Sequence, residues 1–162
     1  MNYKPLTDVR YLVVHCSATP AKMDIGVKEI DLWHRARGFF SIGYHVVIRR
    51  NGSVEFGRPL GQPGAHAADF NSVSRAVCLV GGVDVAGNSG KAENNFTPAQ
   101  FATLYDVLHA WKDEFPHADI VGHRDLFDRN PDGSYKKQPG QRLKDCPSFD
   151  VQPWAKLQGL LP

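Results

Sequence analysis

The chain has 162 residues, 42% of them hydrophobic and 22% charged, which is the size and composition of one folded domain with a real apolar core and not of a disordered segment. A formal net charge of +2 gives no sign of a dedicated nucleic-acid or membrane binder, and no stretch reaches the 18 apolar residues of a membrane span. The opening MNYKPLTDVR lacks a signal-peptide apolar core, so synthesis in a reducing cytoplasm is expected, where three cysteines do not make a disulfide framework.

Taken in chain order, YLVVH (11–15) is a valine-rich apolar run that predicts a buried strand. GVKEIDLWHRARG (26–38) predicts a helix with Val27, Ile30, Leu32 and Trp33 as its apolar residues and a glycine stop. YHVVIRRNGSVEFGR (44–58) predicts a hairpin around Asn51-Gly52, a dipeptide that favours a type I′ turn. RAVCLVGG (75–82) is a second buried strand. TPAQFATLYDVLHAWKDEF (97–115) predicts a long helix with Thr97 as N-cap, Pro98 in the first turn and Gln100 closing a capping box. Its Phe101, Leu104, Leu108, Trp111 and Phe115 recur at helical spacing and mark a core face. DIVGH (119–123) reads as a short strand and VQPWAKLQGLL (151–161) as a closing helix. No repeat or linker divides the chain, so residues 1–162 are expected to form a single α/β domain, a mixed central sheet flanked by helices.

Chemistry-bearing residues are unevenly placed. Cys16 and Cys78 lie in apolar runs and read as small buried hydrophobes. Cys146, in LKDCPSFD, lies in a polar, proline-flanked turn beside Lys144, where filler, nucleophile and metal ligand all remain open. Among seven histidines, His34 and His109 sit in helices and read as packing or surface residues, and His117 as solvated. Tyr44 and His45 are neighbours on a strand and point to opposite faces. His15 and His123 each end an apolar run and begin a polar loop, and His66 lies in a Gly- and Ala-lined loop, QPGAHAAD, from which a side chain can reach a ligand. No H-E-x-x-H or C-x-x-C clusters ligands locally. Two histidines and one thiolate nonetheless make a sensible catalytic zinc set, leaving one position for a water whose pKa zinc brings to about 7. DLFDRNPDGS begins like a calcium loop, but its twelfth position is Pro139, which favours a turn-rich loop.

Together VVHCSAT, GYHVVIRRNGSVEFGR, AVCLVGGVD, NFTPAQ, GHRD and KDCPSFD resemble the zinc-dependent N-acetylmuramoyl-L-alanine amidases, in particular their phage endolysin branch, which shares its fold with the peptidoglycan recognition proteins. The resemblance runs in order from Tyr11 to Asp150. It implies one catalytic Zn2+ held by His15, His123 and Cys146, with Tyr44 and Lys144 as catalytic residues and His66 near the substrate cleft. The implied substrate is peptidoglycan, cleaved between muramic acid and L-alanine by a monomer without nucleic-acid partners or stable membrane insertion. Action on the wall would follow membrane permeabilisation late in infection. The segment 125–143 is longer than its counterpart in one phage lysozyme of the family, which puts peptide preference in question, and that lysozyme's RNA polymerase binding is not expected to carry over. Two other readings stay open: a cysteine hydrolase with Cys146 as nucleophile, and a non-catalytic muropeptide-binding module.

Overall fold

The computed structural model describes residues 3–87, 89–142 and 144–162; the first two residues of the N-terminal stretch read above, and Leu143 of the 125–143 segment, lie outside the described residues. Five strands form one sheet: β1 (Tyr11–Cys16), β2 (Val46–Ile48), β3 (Val54–Phe56), β4 (Ser74–Leu79) and β5 (Asp119–Gly122), in the order β3-β2-β4-β1-β5. β1 pairs parallel with β4 and β5, β2 parallel with β4, and only β3 runs antiparallel. β1 is therefore covered on both faces, and every one of its residues is buried. That is why it reads as an unbroken apolar run and not as an alternation.

Helices cover both faces. α2 (Pro98–Glu114) and α3 (Val151–Leu157) pack on one, where Leu12, Val14, Val77, Leu79 and Ile120 meet Leu104, Leu108 and Val151. Leu104 and Leu108 are fully buried, each contributing about 2 kcal/mol of apolar burial. Thr97 caps α2 as expected: its side chain accepts from the Gln100 N–H at 3.1 Å while Gln100 Oε1 accepts from the Thr97 N–H at 3.0 Å. Gln100 is fully buried, and its amide also donates to the Ile48 and Val80 carbonyls, tying α2 to β2 and to the end of β4.

α1 (Val27–Ala36) lies over the other face, which carries Tyr11, Val13, Val47, Cys78 and Val121. Gly38, at φ +94°, stops it as predicted. Of its apolar residues only Ile30 is buried; Leu32 is exposed and Trp33 is 40% exposed. The hairpin turn differs from expectation. Gly52 alone takes positive φ, and its N–H bonds the Arg49 carbonyl, while Asn51 spends its side chain accepting from the Ser53 N–H. A type I-like turn closed by one left-handed glycine replaces the type I′ turn. α3 ends at Leu157, four residues short of the expected limit, at a turn where Gly159 adopts φ +73°. Among the described residues no helix is long and apolar enough to cross a membrane.

Candidate active site and metal centre

Parallel pairing of β1 with β5 matches Val14 to Gly122, so the next residues, His15 and His123, emerge side by side. Their rings lie 4.5 Å apart. His123 opens a 3-10 helix (His123–Asp128) whose start is held by Asp125, accepting from the Gly122 N–H at 2.8 Å. Cys146 comes from 130 residues downstream of Cys16, in a turn held by three hydrogen bonds. Its carbonyl accepts from the Arg124 N–H at 2.9 Å, Ser148 Oγ donates to the Gly82 carbonyl at 2.7 Å, and the Cys16 N–H donates to Cys146 Sγ at 3.3 Å. The possible ligand atoms of His15, His123 and Cys146 all fall within 4.8 Å of one another. Two imidazoles and a thiol at this spacing fit a zinc ion with one position left open.

Electrostatics suit the same purpose. Burial, reinforced by the neighbouring His66 and His123 rings, holds His15 well below its ordinary pKa. Burial and then Lys144 lower His123 to about 4. Both imidazoles are thus neutral at pH 7, with lone pairs to give. The side chain of Cys16, together with burial, pushes the Cys146 thiol well above its usual range. A divalent cation reverses that by displacing the proton.

These groups line a cleft of about 710 Å3 on the α1 side of the sheet. Tyr44 lies just before β2, its ring 4.9 Å from that of His15 and 5.2 Å from that of His34. Burial keeps its hydroxyl protonated, its pKa well above the ordinary tyrosine value. His45, its neighbour, is buried below the cleft, accepting from the Ala76 N–H at 3.0 Å and bonding the Gln62 carbonyl at 2.7 Å. Both residues lie ahead of β2 and not on it as expected, and of the pair only Tyr44 lines the cleft. Lys144 is exposed at the mouth with Nζ 3.5 Å from His123 Nε2. His66 is brought in by the close approach of Gly43 to Ala65, where a Cβ on Gly43 would overlap the Ala65 carbonyl. Its Nδ1 stands 2.9 Å from His15 Nε2.

All six predicted site residues therefore converge. Sequence reasoning missed Trp33, Arg37 and Phe39, which build the α1 wall of the cleft. His34, read as a packing or surface residue, is buried and accepts from the Gly43 N–H at 2.8 Å, supporting the loop that carries Tyr44. The Trp33-His34 pair on the helix was the available signal. Cys16 and Cys78 are buried as expected, and His109 and His117 are exposed. In the 125–143 segment Asp132 accepts from the Ser134 N–H and hydroxyl, which makes it a turn residue. The same segment supplies Lys136 and Gln141 to a side pocket of about 280 Å3 that shares His123 and Lys144 with the main cleft.

The N-acetylmuramoyl-L-alanine amidase family matches residues 5–141. The endolysin of Enterobacteria phage K11 is 46% identical over 148 residues, covering 91% of this chain and 86% of that protein. The endolysin of Escherichia phage T7 is 36% identical over 154 residues, covering 95% and 90%. Among solved structures, the N-acetylmuramoyl-L-alanine amidase LysC of Clostridium intestinale superposes with a TM-score of 0.66 at 22% identity, over 98% of this chain and 93% of that one. The human recognition protein PGRP-IBETAC, in complex with glycosamyl muramyl pentapeptide, superposes with a TM-score of 0.60 at 16% identity over 86% and 82%. These last two likenesses are of fold.

Proposed function

Because the chain belongs to the N-acetylmuramoyl-L-alanine amidase family, we propose that it hydrolyses the amide bond between N-acetylmuramic acid and L-alanine in peptidoglycan, with one zinc ion held by His15, His123 and Cys146. The observation that carries the reading is the convergence of those three ligand atoms in a cleft that also holds Tyr44 and Lys144. When bound, the ion supplies a Lewis acid that polarises the scissile carbonyl and acidifies water.

The chain's own residues do the rest. Neutral imidazoles on His15 and His123 and the thiolate of Cys146 leave a bound zinc with a net charge of about +1, still attractive to a developing oxyanion. Lys144, a cation at the cleft mouth beside His123, stabilises the negative charge that grows on the carbonyl oxygen in the tetrahedral transition state. Tyr44, whose Oη keeps its proton, orients the attacking water as a hydrogen-bond donor or passes a proton toward the leaving amine. The α1 wall of Trp33, Arg37 and Phe39 offers aromatic surface to a sugar and a cation to the carboxylates of a stem peptide.

The phage relatives, named as endolysins, support a role in host lysis: synthesis in the infected cell and attack on the wall once the membrane is breached. Hydrolysis of purified peptidoglycan, with products identified by mass, tests the reading. Loss of activity with a chelator and its return with zinc, releasing new L-alanine amino termini, is the expected result. Activity that survives metal removal and is abolished by thiol alkylation would overturn the zinc assignment and make Cys146 the nucleophile. Binding without hydrolysis in every form would overturn the enzyme reading itself.

A further inference from the structure

Two short contacts settle where the hydrogens lie along a row of groups running from the sheet into the cleft. Ser74, on β4, is fully buried, and its hydroxyl donates to the Phe70 carbonyl at 2.7 Å. A hydroxyl has a single hydrogen. With that hydrogen on Phe70, the Ser74 oxygen meets His66 Nε2 at 3.1 Å as an acceptor, so Nε2 carries a hydrogen. The opposite arrangement would set two oxygen lone pairs against each other across 2.7 Å.

A neutral imidazole with a hydrogen on Nε2 has a bare Nδ1. That bare nitrogen stands 2.9 Å from His15 Nε2, so His15 donates to it. His15 Nδ1 is left as the free lone pair, and this is the atom that faces Cys146 Sγ at 3.8 Å. The loop is fixed to the same end. Asn71 Oδ1 accepts from the backbone N–H groups of both His66 and Ala67, at 2.8 and 3.0 Å, which sets the direction in which the His66 ring leaves the chain.

We propose that His66, anchored through Ser74 to the Phe70 carbonyl, is a positioning residue that fixes the tautomer and ring plane of His15 so that Nδ1 is presented to the metal. The inference deepens the zinc reading given above and rests on it. It gives His66, which lines the cleft, a role toward His15 in place of contact with substrate. His45 shows what a purely structural buried histidine looks like here: both its nitrogens are spent on backbone groups of Ala76 and Gln62. His66 spends one nitrogen on an anchor and the other on a candidate ligand. Outer partners of this kind typically change metal affinity by about 10–100-fold when removed.

The test combines two measurements on the full chain. In the metal-free protein, nitrogen NMR of the histidine rings should show hydrogen on Nε2 and none on Nδ1 for both His15 and His66. Zinc titrated against a chelator of known affinity should then bind about 10–100-fold more weakly to Ser74→Ala and His66→Leu. His66→Asn, whose side-chain oxygen can accept from His15 Nε2, should recover part of the loss, and cobalt(II) spectra should show a relaxed ligand field in the two weak variants. Hydrogen on His15 Nδ1 in the metal-free wild type would overturn the proposal, whatever the variants do and even if they fold poorly. Equal zinc affinity in folded Ser74→Ala, His66→Leu and wild type would overturn it too, leaving the zinc site standing. A wild-type chain that takes up no zinc would sink the metal reading and this inference together.

Discussion

The two faces of the sheet are built from the same strands and are used in opposite ways. β1 sends Leu12, Val14 and Cys16 to the α2/α3 side and Tyr11, Val13 and His15 to the other; β4 sends Val77 and Leu79 one way and Ser74 and Cys78 the other. Alternation alone produces the division. The α2/α3 face is mainly packed hydrocarbon, from Leu12 to Leu108, with Gln100 and Arg75 as buried polar side chains tied to carbonyls and to Glu114. The α1 face carries His15, His45 and Ser74 in the interior and His66 at the cleft wall, each of them hydrogen-bonded. No described buried side-chain nitrogen or oxygen lacks a partner. Beside the apolar clusters around Phe70 and Ile30, the α1 face thus holds these polar groups at a cost of desolvation that their hydrogen bonds offset.

That division is broken most forcefully at the site. Cys146→Ser should reduce amide hydrolysis about a thousand-fold or more by weakening the metal site, which supplies several kcal/mol of transition-state stabilisation. Lys144→Ala should follow at about a hundred- to a thousand-fold in kcat with little change in KM. Both should shift the melting temperature of the metal-free protein little; a collapse of the fold in either would blur the two faces into one. Leu104→Ala on the other face is the reciprocal experiment. Denaturant unfolding should show about 2–5 kcal/mol lost, with the activity of the remaining folded enzyme unchanged.

The pH dependence of stability sharpens the contrast, because buried neutral histidines sit on the α1 face. His45 is lowered to about 4, chiefly by burial and further by Arg75 and Arg58, while an unfolded histidine titrates near 6.5. Below 6.5 the unfolded chain therefore binds a proton that the folded one refuses. The stabilisation is complete above pH 6.5 and is lost as pH falls toward 4, at about 1.4 kcal/mol per unit between the two. Replacing His45 with glutamine should flatten the slope in that window, and an unchanged slope would place the sensitive groups elsewhere. The smallest effect belongs to Thr97→Ala, which removes the cap of α2 and should cost about 1 kcal/mol without touching hydrolysis.

Most of this architecture could be read from local chemistry. The valine-rich run of β1, the Thr97-to-Gln100 capping box and the Gly38 stop each act within a few residues, so their sequence signals survive folding. What local chemistry could not supply was register. The pairing that sets His15 beside His123, and the hydrogen bond from Cys16 to Cys146 across 130 residues, follow from strand order. The joint role proposed for His15, His123 and Cys146 was suggested only by the resemblance. Ser74 lies one residue ahead of the apolar run read as a strand, and a lone serine there carries no signal until β4 pairs with β1 and turns it toward His66. The Asn51-Gly52 turn failed for a local reason, since the Asn51 side chain bonds its own loop and keeps its backbone out of the left-handed region. Trp33, read among the apolar residues of the helix, is exposed because α1 borders the cleft as well as the cluster around Ile30.

The central claim is that His15, His123 and Cys146 hold a single zinc ion, and metal content tests it most directly. Elemental analysis of wild type and Cys146→Ser, purified side by side and dialysed against zinc-free buffer, should give close to one zinc per wild-type chain and a small fraction of that in the variant. Equal zinc in the two proteins, or a wild type that hydrolyses peptidoglycan with none, would contradict the account.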